Sequence, residues 1–462
     1  MFDVCIIKKQ YKKLEAQFAE LTKNFALLRE ENILLREDLR RVREENSKLR
    51  EENAFLKLGR SSKTSHTPPS QDYSLKTSRN LREKTDKKPG GQIGHKGETL
   101  MPSTSPDQII LHKPLHCSGC GIGLENHSFS VVGQRQVVDI PPIAPIYIEH
   151  QLCQIVCQCK AINIGAYPPS VTNNIQYGFR IKAMIGYCHT YQYLPFGRIK
   201  SLLEEVCSVY LSEGTIQNTL KGLVEKAKPI YAEIRSQIER ANKVGGDETG
   251  SSIEGKKGWF HVWQNETLTY IVASMSRGYA TMETHFKDGF PNAVYVSDCW
   301  SGQLKVYSKA KQICLVHLLR ELNRFIETSQ CGWSKQFKVL LKKAIELKKD
   351  HIPTDKDIGQ IQLELMELLQ VSTEDKTGKI RAFMKRMIKY QDYLFTFLKY
   401  EYVPSDNNGS ERAIRNIKVK TKVSTQFRTL NGAHNFAILR SATDTAIKHN
   451  QNVFQAFCAL AE

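Results

Sequence analysis

The chain has 462 residues, 40% of them hydrophobic, which calls for two to four modules and allows a full hydrophobic core. It carries 66 Lys and Arg against 48 Asp and Glu, and 14 of the 18 excess positive charges fall in residues 57–97 and 412–448, a concentration that points to nucleic acid. No 18-residue apolar run occurs, "MFDVCIIKKQ" does not read as a signal peptide, and neither basic region is an amphipathic helix with a large apolar face, so these features argue against a membrane partner and predict a cytoplasmic chain whose 12 Cys are thiols or metal ligands.

Leu14, Leu21, Leu28, Leu35, Val42, Leu49 and Leu56 recur every seven residues, with Tyr11, Phe18, Phe25, Asn32, Leu39, Asn46 and Asn53 three before each. This a/d seam predicts a coiled-coil helix over residues 8–58. The g positions Glu31, Asp38, Glu45 and Glu52 precede by five the basic e positions Arg36, Arg43, Arg50 and Lys57, a pairing that meets across a parallel homodimer. Asn at three a positions favours two strands in a fixed register. Residues 59–100, rich in Ser, Pro, Gly and Lys, read as a basic flexible linker able to lie along DNA.

Residues 101–170 hold "CSGC" (Cys117, Cys120) and "CQC" (Cys157, Cys159), with strand-like "SFSVVGQRQVVDI" and "IYIEHQLCQIV" between and before them. Two thiol pairs on hairpin turns predict a small zinc-ribbon-like β module with structural Zn²⁺. CxC is a cramped pair, and Cys153, His112 or His116 could replace one thiol; buried reduced thiols are the alternative. Residues 171–241 read as helical, with a turn near Tyr210–Ser212 between two helices, which fits either a helix-turn-helix or a plain helical hairpin.

Residues 242–322 then run through "GGDETG", two strand-like stretches, a helical piece, and "NAVYVSDCWSG", which delivers Asp298 at a strand end. A further strand passes into a helix at "KQICLVHLLRELNRF". This order of elements is that of a ribonuclease H-like α/β domain. An all-helical insertion over 323–402 follows, marked by the stripes Phe337, Leu340, Leu341, Ala344, Ile345 and Ile358, Ile361, Leu365, Leu368. The domain resumes over 403–462, where Ser405 or Asp406 reads as the N-cap of a helix with Glu411 in its first turn.

Asp247, Asp298 and Glu411 thereby form a candidate three-carboxylate set, and hard oxygen ligands suit a pair of Mg²⁺ ions. The basic residues after Glu411, namely Arg412, Arg415, Lys418, Lys420, Lys422 and Arg428, read as phosphate contacts. Each acid has a plainer alternative: Glu248 as the ligand in place of Asp247, an Asx turn at Asp298, an i,i+4 pair between Glu411 and Arg415.

Taken together, the zipper, "SSKTSHTPPS", "KPGGQIGHKG", the Cys pairs, "DET", "SRG", "CLVHLLREL" and "DNNGSERAIRNIKVK" resemble the transposases of insertion-sequence family sixty-six almost end to end. The resemblance implies metal-dependent cleavage at element ends and 3′-hydroxyl strand transfer into target DNA. Asp247, Asp298 and Glu411 would be the catalytic acids, and accessory transposition proteins would be possible partners. "CLVH" also resembles a Cys-x-x-His signature found after the second acid in several transposase groups, so Cys314 and His317 read either as organising the insertion or as ordinary core packing. Two features depart from the family pattern: the CxC pair, and Gly245–Gly246 before the first acid, which predicts a weakened strand. A non-catalytic DNA-binding regulator and a ribonuclease H-fold nuclease acting on branched nucleic acid are the rival functions.

Overall fold

The computed structural model describes the backbone of residues 3–58, 90, 94–97, 99–329, 331–372 and 378–462. Most of the basic linker over 59–100 lies outside the described residues. Helix α1 spans Asp3–Leu58 without interruption. Its seam residues Leu14, Phe18, Leu21, Phe25, Leu28, Leu35, Leu39, Val42 and Leu49 are all at least half exposed.

The chain divides into two compact units, one of them residues 79–151 with 201–211. In that smaller unit the expected strand over residues 128–140 does not form, and "IYIEHQLCQIV" yields only β1 (Gln154–Val156), which belongs to the larger unit and pairs with β2 (Ile162–Ile164). Alternation without burial is the reason: Val132, Val137, Ile140, Ile146 and Tyr147 are each more than three-quarters exposed, so no core rewards pairing. Cys117 starts a tight turn closed by a bond from the Gly121 amide to its carbonyl.

The larger unit contains α2 (Phe179–Thr190), then α3 (Phe196–Cys207), which enters the smaller unit, and α4 (Glu213–Arg240). Ser212 caps α4, its hydroxyl accepting from the Thr215 amide. The inner face of α4, including Ile234 and Ile238, packs onto the sheet described next and onto neighbouring helices, so that face is core.

That sheet comprises β3 (Lys243–Ile253), β4 (Lys256–Gln264), β5 (Thr269–Ser274), β6 (Phe290–Ser297) and β7 (Ser308–Ile313), with α5 (Tyr279–His285) and α6 (Ser301–Leu304) in the connections. Strand order is β5-β4-β3-β6-β7, the first three antiparallel and β3, β6 and β7 parallel. Side chains alternate across β5: Tyr270 and Val272 join Ile234 and Phe286 on one face, while Ile271 and Ala273 join the opposite core with Ala413, Ile417 and Phe436. Both faces are therefore covered, as a sheet with parallel strands requires.

Helix α7 (Leu315–Ser329) leads into α8 (Gly332–Asp350), α9 (Asp355–Leu369), α10 (Gly378–Lys389) and α11 (Thr396–Lys399). Phe337, Leu340, Leu341, Ile358, Ile361 and Leu365 share one core with Val294, Val296 and Ile313 of the sheet. The helical insertion is thus an extension of the β6/β7 half, and α7, which leads into it, starts directly after the end of β7. Helices α12 (Asn408–Ser424), α13 (Leu430–Lys448) and α14 (Val453–Ala461) complete the chain.

Candidate active site

Parallel pairing of β3 with β6 places Gly245 opposite Val296. Asp247 stands two residues further along β3, inside the strand rather than at its end as the sequence suggested, and Asp298 stands one residue past the end of β6, so both acids come where the parallel pairing of the two strands stops. The glycines before Asp247 do not fray the strand, contrary to the expectation from their type. A Cβ on Gly246 would lie 1.8 Å from the Tyr295 hydroxyl, and one on Gly245 would lie 2.5 Å from Gln264 Nε2 and 2.8 Å from Asn407 Oδ1. Glycine is required there because side chains from β6, β4 and the start of α12 close over the backbone.

Helix α12 is anchored at that same point. Its N-cap is Asn407, not Ser405 or Asp406. The Asn407 side chain does not cap the helix backbone; it donates from Nδ2 to the Gly246 carbonyl at 2.8 Å, while its Oδ1 accepts from the Ser410 hydroxyl at 2.8 Å. Its backbone amide donates to Cys314 Sγ at 3.2 Å, and the Cys314 amide donates to the Ser297 carbonyl at 2.8 Å. Cys314 therefore ties the residue before Asp298 to the start of the Glu411 helix. Burial pushes its thiol up to about 11, so it acts as a neutral packing and capping group.

The three acids share one electrostatic environment. Burial raises the Asp247 carboxyl well above the ordinary aspartate value, with Asp298, Glu248 and Glu411 each adding to the rise and the Glu248 amide at 2.8 Å opposing it. Asp298 spends Oδ1 on the Trp300 amide at 3.0 Å, the anticipated Asx turn. Glu411 meets Arg320 Nη1 at 3.2 Å and His317 Nε2 at 3.6 Å, both on Oε1, rather than Arg415. Glu248 is committed elsewhere: Arg277 donates Nε and Nη2 to its Oε1 at 2.9 and 2.7 Å, and Gln303 Nε2 donates to Oε2 at 2.5 Å. Burial raises this carboxyl too, and those bonds oppose the rise. Gln303 in turn accepts from the buried Tyr295 hydroxyl, and Arg277 lies against the indoles of Trp259 and Trp300. Glu248 thus braces β3 while Asp247 faces the other two acids.

Carboxylates crowded in this way, with Asp247 and Asp298 answered only by backbone amides, suit a divalent cation. Among the described residues no three His, Cys, Asp or Glu side chains converge on one metal ion as they stand, and Glu411 is drawn to Arg320 and His317.

Of the basic followers, Arg412, Arg415, Lys422 and Arg428 are exposed, and Lys418 is half-buried with Nζ on the Gly250 carbonyl at 2.9 Å. Glu411, Arg415, Lys418 and Lys422 fall on one stripe of α12 at helical spacing. Lys420 does not join them: it is 4% exposed, turned inward on the Ala413–Ile417 face with Nζ near the Tyr193 and Leu194 carbonyls, and burial lowers it to about 8. Helical spacing from Ala413 and Ile417 was the available signal for that placement.

At the two cysteine turns, the amides of Gly119 and Cys120 point at the Cys117 sulfur and lower its thiol, and the Cys159 amide does the same for Cys157. The second pair lies in the β1–β2 turn, where the Cys157 amide donates to the Ala161 carbonyl at 2.9 Å.

The transposase IS66 family model matches residues 174–435, which include all three acids, the helical insertion and the start of α13. The chain belongs to the IS66 transposase family. No curated protein matches it. For an IS66-family chain, the Gly246–Asn407 bond and the Cys314 tie explain how segments 164 residues apart, Asp247 and Glu411, come to one edge of a sheet. No helix among the described residues is long and apolar enough to cross a membrane.

Proposed function

We propose that this IS66-family chain is a DNA transposase in which a ribonuclease H-like sheet presents Asp247, Asp298 and Glu411 to a phosphodiester, cutting element ends and transferring the freed 3′ hydroxyl to target DNA. The observation that carries the reading is electrostatic: half-buried Asp247 lies in the field of both Asp298 and Glu411, where the parallel pairing of β3 and β6 ends. The strand order, three antiparallel strands continued by two parallel ones, is the arrangement that reading requires.

Mg²⁺, as two ions, would be held by these three carboxylates and would supply charge neutralisation and an activated attacking oxygen for in-line displacement. The chain's own residues supply the rest. Asn407 and Cys314 fix where Glu411 enters, Glu248 and Arg277 keep β3 rigid, and Arg412, Arg415, Lys418, Lys422 and Arg428 grip the backbone by charge. The exposed a/d seam of α1 would close on a second copy in parallel.

The test is strand cleavage and joining on a duplex carrying the terminal inverted repeats found beside the gene, with Mg²⁺. Wild-type protein nicks and joins, while Asp247→Asn, Asp298→Asn and Glu411→Gln fold and bind but react about 100- to 1,000-fold more slowly. Near wild-type turnover by folded Glu411→Gln would refute the assignment. Wild-type protein that binds the ends yet never nicks them identifies a non-catalytic regulator, and preference for branched DNA over the repeats identifies a nuclease.

A further inference from the structure

Helix α7 is held rigidly beside the site and places a residue there that the three-acid scheme does not use. Its first turn is pinned through Cys314 to β6 and to α12. Arg320, two turns in, therefore stands over Glu411 from a fixed base. It reaches Oε1 with Nη1 alone, at 3.2 Å, and its side chain remains 51% exposed, leaving most of the guanidinium edge outward. A half-exposed pair of this kind contributes little to stability. Stability therefore gives no reason for an arginine at this position.

Charge gives one. A carboxylate that must face a divalent cation is here occupied by a monovalent one, so Arg320 competes for Glu411 in the free protein. Once Glu411 serves the cation, a guanidinium left beside it is repelled unless an anion lies between them. A phosphodiester is that anion, and the planar fork of arginine matches two of its oxygens. Arg324, one turn further on the same exposed stripe of α7, continues the track along the strand.

We propose that Arg320 is a substrate-positioning residue: it holds Glu411 in the free protein and exchanges it for a phosphate of the DNA strand when substrate enters. The inference rests on the function proposed above and adds to it a residue of α7, the helix that leads into the insertion.

The exchange is tested on full-length protein with Arg320→Gln and Arg320→Lys. Calorimetric titration with Mn²⁺ in the absence of DNA reads the competition. Arg320→Gln binds Mn²⁺ about 2- to 5-fold more tightly than wild type. On terminal-repeat duplex the same variant cuts about 100-fold more slowly, because the reacting phosphate is no longer seated. Arg320→Lys, which keeps the charge without the fork, recovers part of the rate. Unchanged or weaker Mn²⁺ binding, or cutting at the wild-type rate, overturns the proposal. If wild-type protein never cuts, the functional reading fails, and the Mn²⁺ titration still decides whether Arg320 and the cation compete for Glu411.

Discussion

Asp247 is half-buried beside Asp298, Glu248 and Glu411, and the first cause of its raised carboxyl is loss of water. An acid whose folded value lies above its unfolded value, about 3.9, favours the folded state only while both are protonated. Stability is lost as pH rises through the folded value. Asp247→Asn should accordingly stabilise the metal-free protein at pH 7 by about 1 kcal/mol, which for a chain of this length is about 1 °C in Tm. The gain should vanish below about pH 4. Scanning calorimetry in EDTA checks this, and equal Tm values at pH 7 would contradict the charge crowding. Residue type made both acids legible in the sequence, and strand-end position made Asp298 so; Asp247 instead lies inside β3, which runs on to Ile253 as the first arm of a hairpin with β4. Neither signal could choose between Asp247 and Glu248, because that choice depends on Arg277 and Gln303, which arrive from distant segments. Charge likewise says nothing about direction, so Lys420 reads as a phosphate contact until its helical neighbours Ala413 and Ile417 are seen to be core.

At the scale of elements, the site depends on how α12 meets β3. Asn407 supplies the joint, donating to the Gly246 carbonyl and receiving Ser410, all buried. Asn407→Ala orphans the carbonyl and should cost about 1–3 kcal/mol. Because it also frees the turn carrying Glu411, its cleavage rate at a temperature where it remains folded should fall further than that of an equally destabilising core variant such as Leu341→Ala. Equal rates in the two variants would show that the joint is only structural. The succession of strands and helices was readable from apolar periodicity, since each element of the sheet buries a face. Gly245 and Gly246 misled for a physical reason: their cost to strand formation is local, whereas their benefit, room for Tyr295, Gln264 and Asn407, is tertiary. The 128–140 segment misled in the opposite sense, having the alternation of a strand and nothing to pack against.

At the scale of the whole molecule, α1 presents nine seam residues, Leu14 to Val42 and Leu49 among them, to solvent along a helix of 56 residues. A single exposed seam of that length calls for a second strand. Removing residues 1–58 should convert a dimer to a monomer in sedimentation equilibrium, while Asn32→Leu, Asn46→Leu and Asn53→Leu together should raise dimer stability and admit other oligomers. A monomeric full-length chain would contradict the pairing. The basic surplus of the C-terminal region is smaller at the surface than in the sequence, since Lys420, Arg440 and Lys448 turn inward and bond within the fold. What remains outside is Arg415, Lys418 and Lys422 on the stripe that begins with Glu411, with Arg412 and Arg428 off that stripe. The central claim, that β3, β6 and α12 converge on one cation site, is tested most directly by placing Fe²⁺ in that site and letting ascorbate and peroxide cut the nearby backbone. The account predicts three sets of fragments, ending near residues 247, 298 and 411, all suppressed by excess Mg²⁺ and by Asp247→Asn. Cleavage confined to other segments, or at only one of the three, would contradict it.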